Sequence, residues 1–163
     1  MTVYLVRHAI AAEPGPEYPD DADRPLTHQG EARFRKEVRA LAALDIKIAC
    51  VLTSPLIRAR QTAELLREQY HDASLVETEA LAPGGSYRAV LAALSALGDC
   101  SSAALVGHAP DIGELAARLL GARGAIEFKK GAICCIELSS LPPAGPGTLR
   151  WFVQPRMLRA IED

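Results

Sequence analysis

The stretch Ile48-Ala49-Cys50-Val51-Leu52-Thr53-Ser54-Pro55-Leu56-Ile57-Arg58-Ala59-Arg60-Gln61-Thr62-Ala63-Glu64-Leu65-Leu66-Arg67-Glu68-Gln69-Tyr70 changes its period halfway along. Ile48–Thr53 is a short apolar run that reads as a strand covered on both faces. From Pro55 to Tyr70 the pattern is helical, with Pro55 suited to the first turn and Leu65 and Leu66 facing inward. The same strand-then-helix unit recurs on either side. Val3–Val6 precedes Phe34, Val38, Leu41 and Ala42 at i, i+4, i+7 and i+8, with Thr27 as N-cap. A helical pattern at Tyr87, Val90, Leu91, Leu94 and Leu97 leads to the strand Ala103–Val106, and Ile112, Leu115, Ala116 and Leu119 follow it. Parallel strands need crossover connections, and helices supply them, so this order predicts an α/β fold: a three-layer α/β/α sandwich on a mainly parallel sheet. Two last runs, Ala132–Leu138 and Leu149–Val153, are joined by a Pro/Gly-rich segment rather than a helix. They predict a hairpin, and with it at least one antiparallel strand.

Length and composition bound the rest. The 163 residues suit a single domain over 1–163, are 49% apolar with 28 alanines, and carry a net charge of -2. No overall field draws nucleic acid or an acidic membrane, so any anion site must be local. No run approaches the ~20 apolar residues of a membrane span, and the expectation is a cytoplasmic protein. Cys50, Cys100, Cys134 and Cys135 contain no C-x-x-C pair, so neither a disulfide framework nor a zinc site is expected. None of them is followed by arginine at the spacing a cysteine phosphatase needs. Ala11–Arg24, rich in Pro, Gly and Asp, is long enough for a lid or a solvated loop, composition favouring the loop, and Gln154–Asp163 reads as either a short packed helix or a frayed end.

Ligands of parallel α/β sheets gather at the carboxyl ends of the strands. There the chain places Arg7-His8, Thr53-Ser54 with Arg58 one turn on, and Gly107-His108-Ala109-Pro110. Each alone reads as a surface or structural residue, and the joint placement is what points to a site. His28 and His71 are expected at the surface, and Lys129-Lys130 in a solvated turn.

Val6-Arg7-His8-Ala9, Leu26-Thr27 with Gly30, Ser54-Pro55-Leu56-Ile57-Arg58-Ala59-Arg60-Gln61-Thr62 and Val106-Gly107-His108 together resemble the histidine phosphatase superfamily. The short chain is most similar to its SixA-like phosphohistidine phosphatases. The resemblance implies a phosphoglycerate mutase-like fold and a metal-independent, cofactor-free phosphatase that removes a phosphoryl group through a phosphohistidine on His8. Arg7 and Arg58 would clamp the phosphoryl oxygens bidentately, which lysine cannot do. His108 would bind a further oxygen as donor or cation, the Ala109 N–H would add a donor, and Ser54 would be either a supporting hydroxyl or a purely structural cap. Substrates would be a phosphorylated protein such as a phosphotransfer domain, or a small phosphorylated molecule, with inorganic phosphate as product and competitor. Two alternatives remain: a phosphatase of small phosphate esters or polyphosphorylated metabolites, and a phosphate-binding module without turnover.

Two departures from the family pattern matter. Ala9 replaces the usual glycine, which is significant only if that backbone needs positive φ. No motif supplies the carboxylic acid that ester cleavage needs. Glu79 is the leading candidate, ahead of Glu77, Asp20, Asp21, Asp23 and Asp111. A phosphoramidate tolerates this gap, because imidazole, with a pKa of about 6.5, leaves far more readily than an alkoxide.

Overall fold

In the computed structural model, which describes residues 1–162, six strands form one sheet. They are β1 (Thr2–Arg7), β2 (Cys50–Thr53), β3 (Ser74–Glu77), β4 (Ser102–Gly107), β5 (Ile133–Glu137) and β6 (Thr148–Val153). The spatial order is β3-β2-β4-β1-β5-β6. The first four are mutually parallel, while β5 runs antiparallel to β1 and β6 antiparallel to β5. Five helices cover the sheet: α1 (His28–Ala43), α2 (Ile57–Gln69), α3 (Tyr87–Ser95), α4 (Asp111–Leu120) and α5 (Pro155–Glu162).

Alternation along each strand sorts side chains between two cores. Tyr4, Val6, Val51, Ala104 and Ile133 pack with Phe34, Val38 and Leu41 of α1, Ala63 and Leu66 of α2, and Leu158 of α5. Val3, Leu5, Leu52, Leu105 and Ile136 pack on the opposite face with Val90 and Leu94 of α3 and Ile112, Leu115 and Leu119 of α4. The three layers anticipated from the strand-helix order are therefore present. Thr27 caps α1, accepting the Gly30 N–H at 2.9 Å; such a cap contributes about 1 kcal/mol.

Several expectations need correction. Helix α2 begins at Ile57 with Leu56 as N-cap, so Pro55 precedes the helix rather than opening it. Strand β3 lay outside the sequence reading, because four residues at an edge carry too short an alternation to register. Cys50 and Cys100 are joined by a disulfide, against the expectation of no disulfide framework. These two lie 50 residues apart but at the starts of strands β2 and β4, which are neighbours. The C-terminal segment takes the packed-helix alternative: α5 docks on α1 through buried Leu158 and an Arg159–Glu37 ion pair.

Gly30 couples α1 to the strand that carries Arg7 and His8. A Cβ there would lie 2.1 Å from the Ile10 carbonyl oxygen, which also accepts the Thr27 N–H. Gly30→Ala should therefore destabilise the fold by on the order of 1–3 kcal/mol, as overpacking does. Urea unfolding measures it, and a midpoint equal to that of the parent chain would refute the close approach.

Candidate active site

Strand order brings the site together. Because β4 lies between β1 and β2, the ends of all three strands meet at one level: His8 N–H donates to the Gly107 carbonyl at 3.0 Å and Ser54 N–H to the Val106 carbonyl at 3.0 Å. His8, Arg58 and His108 are buried, at 5%, 4% and 4% exposure, and the two imidazole rings lie 5.2 Å apart between centroids.

The string after β2 does more than deliver Arg58. Thr62 Oγ1 accepts the Ala9 N–H at 3.0 Å and donates to the Arg58 carbonyl at 2.7 Å, pinning the residue after His8 to the first turns of α2. Gln61 Oε1 accepts the Leu26 N–H at 2.7 Å and holds the entry to α1. Sequence reasoning quoted both residues within the string without assigning them a part; the one signal was Thr62, a polar residue on the face of α2 that also carries Ala59, Ala63 and Leu66 inward.

His8 Nδ1 lies 2.7 Å from the Ala9 carbonyl oxygen. A carbonyl only accepts, so the ring proton sits on Nδ1 and Nε2 keeps its lone pair. Ala9 is not among the residues with positive φ, so the alanine in place of glycine strains nothing. Burial is the main cause that pushes the His8 pKa down to about 3; the Ala9 hydrogen bond opposes it, and His108, Arg58 and Arg7 add smaller lowering effects. Desolvation therefore leads, and the two arginines lower the pKa further. His108 is lowered to about 4, again first by burial and then by Arg58. At neutral pH the ring without a bound anion is uncharged, so it donates from one nitrogen only.

Arg7 Nη1 donates to the Phe128 carbonyl at 2.6 Å. Arg58 Nη1 donates to the Asp21 carbonyl at 2.6 Å, and Nη2 contacts the Asp21 carboxylate at 2.8 Å. Arg24 also binds that carboxylate and ties the segment down through the Ala12 carbonyl. The solvated-loop reading of Ala11–Arg24 therefore holds for most of Glu13–Asp20, which is exposed, and fails at Asp21, which is bonded to the arginine of the site. Among the described residues five buried side-chain N or O atoms have no partner, and three of them belong to the residues gathered here: Arg7 Nε, Arg58 Nε and His108 Nδ1, the others being Tyr70 Oη and Gln154 Oε1. Leaving buried polar groups unpaired costs free energy, and such groups at one place mark a surface shaped for a ligand.

The carboxylates are arranged differently from the sequence ranking. Glu79 is exposed at the start of a 3-10 turn and does not line the cavity of about 160 Å³ that adjoins His108. Glu77 pairs with Arg60. Asp21 is held below the usual carboxylate range: burial would raise its pKa, and the hydrogen bonds from Arg24 and Arg58 outweigh that. Asp111 lines the cavity and accepts the Gly84 N–H at 2.8 Å. Ala109 is exposed just before α4, which starts at Asp111 rather than Pro110. His28 and His71 are exposed, as is Lys129. Among the described residues no group of three or more His, Cys, Asp or Glu side chains is placed to hold a metal ion.

The depressed histidines make the protein acid-sensitive with a definite sign. Between about pH 6.5 and pH 4 the unfolded chain binds protons that native His8 and His108 refuse, so this contribution to stability is full above pH 6.5 and is lost as pH falls through that window. The melting temperature should drop on acidification from pH 7 to pH 5 while the ring resonances of His8 and His108 do not titrate. A midpoint near 6.5 for either ring would contradict their burial.

The model of the histidine phosphatase superfamily (branch 1) matches residues 3–82. Phosphohistidine phosphatase SixA of Escherichia coli strain K12 is 32% identical over 167 aligned positions, covering 99% of this chain and all of that protein. An uncharacterised protein of Picosynechococcus sp. strain PCC 7002 is 43% identical over 118 residues, 71% of each chain. Among solved structures, the protein histidine phosphatase SixA complexed with tungstate superposes with a TM-score of 0.85 at 31% identity, over 97% of this chain and 99% of that one.

Proposed function

The chain belongs to the histidine phosphatase superfamily and to its SixA-like members, and from that membership we propose that it is a phosphohistidine phosphatase working through a covalent intermediate on His8. The observation that carries the reading is the set of unpartnered buried donor atoms on Arg7, Arg58 and His108 beside an imidazole whose Nε2 lone pair is free.

The Nε2 lone pair forms a bond to phosphorus as the phosphorus–nitrogen bond of the substrate breaks; with the substrate ring already protonated by solvent on its other nitrogen, the electron pair stays on a departing neutral imidazole that needs no further proton. Arg7 and Arg58 neutralise charge on the phosphoryl oxygens, and His108 and the Ala109 N–H hold a further oxygen. Water then attacks the phosphohistidine, releasing inorganic phosphate and restoring His8. No carboxylic acid is needed at the first step. That suits a site whose nearest acids are Asp21, ionised against two arginines, and Asp111, bound to the Gly84 amide. The departing side chain would enter the cavity walled by Leu81, Tyr87, Val90, Asp111 and Leu115 beside His108.

In this reading the whole chain acts as one metal-independent domain on a phosphorylated protein. A phosphohistidine peptide should turn over faster than an aryl or alkyl phosphate, and EDTA should leave the rate unchanged. Faster ester hydrolysis would favour the small-ester phosphatase, and strong inhibition by EDTA would overturn metal independence. A cytoplasmic location belongs to the same proposal. Disulfides are uncommon there, so alkylation of Cys50 and Cys100 in intact cells tests it: a chain recovered almost wholly bridged would count against that compartment.

A further inference from the structure

Ser54 is fully buried, and its Oγ has two neighbours: the Leu56 N–H at 3.2 Å and His108 Nε2 at 2.8 Å. The Leu56 amide can only donate, so it occupies one lone pair of the hydroxyl oxygen. The hydroxyl proton still needs an acceptor, and among the described residues His108 Nε2 is the one in reach. Were the ring proton on Nε2, it would donate to Oγ, and the Ser54 proton would be stranded in the interior. His108 Nδ1, itself buried and unpartnered, would then present a lone pair. That arrangement strands a second buried group, whereas the opposite tautomer leaves only the Nδ1 N–H unmet.

We propose that Ser54 is a positioning residue: it donates its hydroxyl proton to His108 Nε2 and so keeps the ring proton on Nδ1, which presents an N–H to the phosphoryl oxygen. The neutral state of the ring, surrounded by His8, Arg7, Arg58, Asp21 and Asp111, is what makes the choice of nitrogen matter. An imidazolium would donate from both nitrogens, but a neutral ring donates from one. A lone pair facing an oxyanion would repel it. The role toward phosphate rests on the function proposed above; the tautomer does not.

The test uses the full-length ¹⁵N-labelled protein at neutral pH without substrate. Long-range proton–nitrogen correlation should identify Nδ1 of His108 as the protonated nitrogen and Nε2 as the lone-pair nitrogen. In Ser54→Ala both nitrogen shifts should move toward the average of mixed tautomers, and inorganic phosphate should bind about twofold or more weakly, because only the rings protonated on Nδ1 are competent to bind it. Ser54→Thr, which keeps the hydroxyl, should retain the parent nitrogen pattern. A parent protein protonated on Nε2, or a Ser54→Ala variant with unchanged nitrogen shifts, overturns the proposal, and the parent spectrum decides even if a variant fails to fold. A purely structural serine would lower the melting temperature and leave the nitrogens alone. Should the tautomer hold while a phosphohistidine peptide is not hydrolysed, the function reading fails and this inference stands.

Discussion

His8→Ala should abolish turnover of a phosphohistidine peptide, with a loss on the order of 10⁴- to 10⁶-fold, the scale seen when a catalytic nucleophile is removed. The reason lies in the geometry. With Nδ1 committed to the Ala9 carbonyl, the Nε2 lone pair of His8 is left free near both arginines, as the proposed nucleophile must be. Incubation of the parent protein with a labelled phosphodonor, then quenching, should trap a label that is acid-labile and alkali-stable, and the variant should carry none. Inorganic phosphate should still bind the variant, because Arg7, Arg58 and His108 keep their places. Label persisting in the variant, or turnover within tenfold of the parent, would end the covalent mechanism. Absence of label in the parent would favour the module that binds phosphate without turning it over.

Arg58→Ala should lower kcat/KM by roughly 30- to 5,000-fold, corresponding to the 2–5 kcal/mol lost when one member of a buried charged pair is removed. Arg58 is 4% exposed, and its guanidinium already serves Asp21 through two contacts. Lysine at this position should not restore the rate, since one ammonium cannot keep Asp21 satisfied and also present a planar fork to phosphate. Arg7→Ala should fall in the same range; it removes a donor to the Phe128 carbonyl as well as the proposed phosphate contact. Steady-state kinetics with inhibition by inorganic phosphate measure both. Near-normal activity in either variant would detach that arginine from the reaction.

The parts legible in the sequence were those whose cause is local. Phe34, Val38 and Leu41 repeat at the helical period because one face of α1 is buried, and Thr27 reads as a cap because its hydroxyl reaches the Gly30 amide three residues away. The Pro/Gly-rich segment before β6 reads as a hairpin because no helix can form there, and β5 and β6 are antiparallel. Arg7, His8, Ser54, Arg58 and His108 were conspicuous as polar residues just beyond apolar runs. Thr62 and Gln61 were visible without a role, since their partners, Ala9 and Leu26, lie 53 and 35 residues away. Asp21 fell inside a loop whose composition says only that it is polar, and its bond to Arg58 spans 37 residues.

By itself, then, the sequence determined five of the six strands, the first four helices with the faces they bury, and which chemical groups stand at the strand ends, all consequences of period and neighbours a few residues apart. Only the tertiary structure decided that β4 lies between β1 and β2, which places His108 5.2 Å from His8 and pairs Cys50 with Cys100. Packing likewise decided that both rings are neutral and that Asp21 rests on Arg58. Strand order and desolvation depend on contacts between segments dozens of residues apart, and a linear pattern carries no record of them.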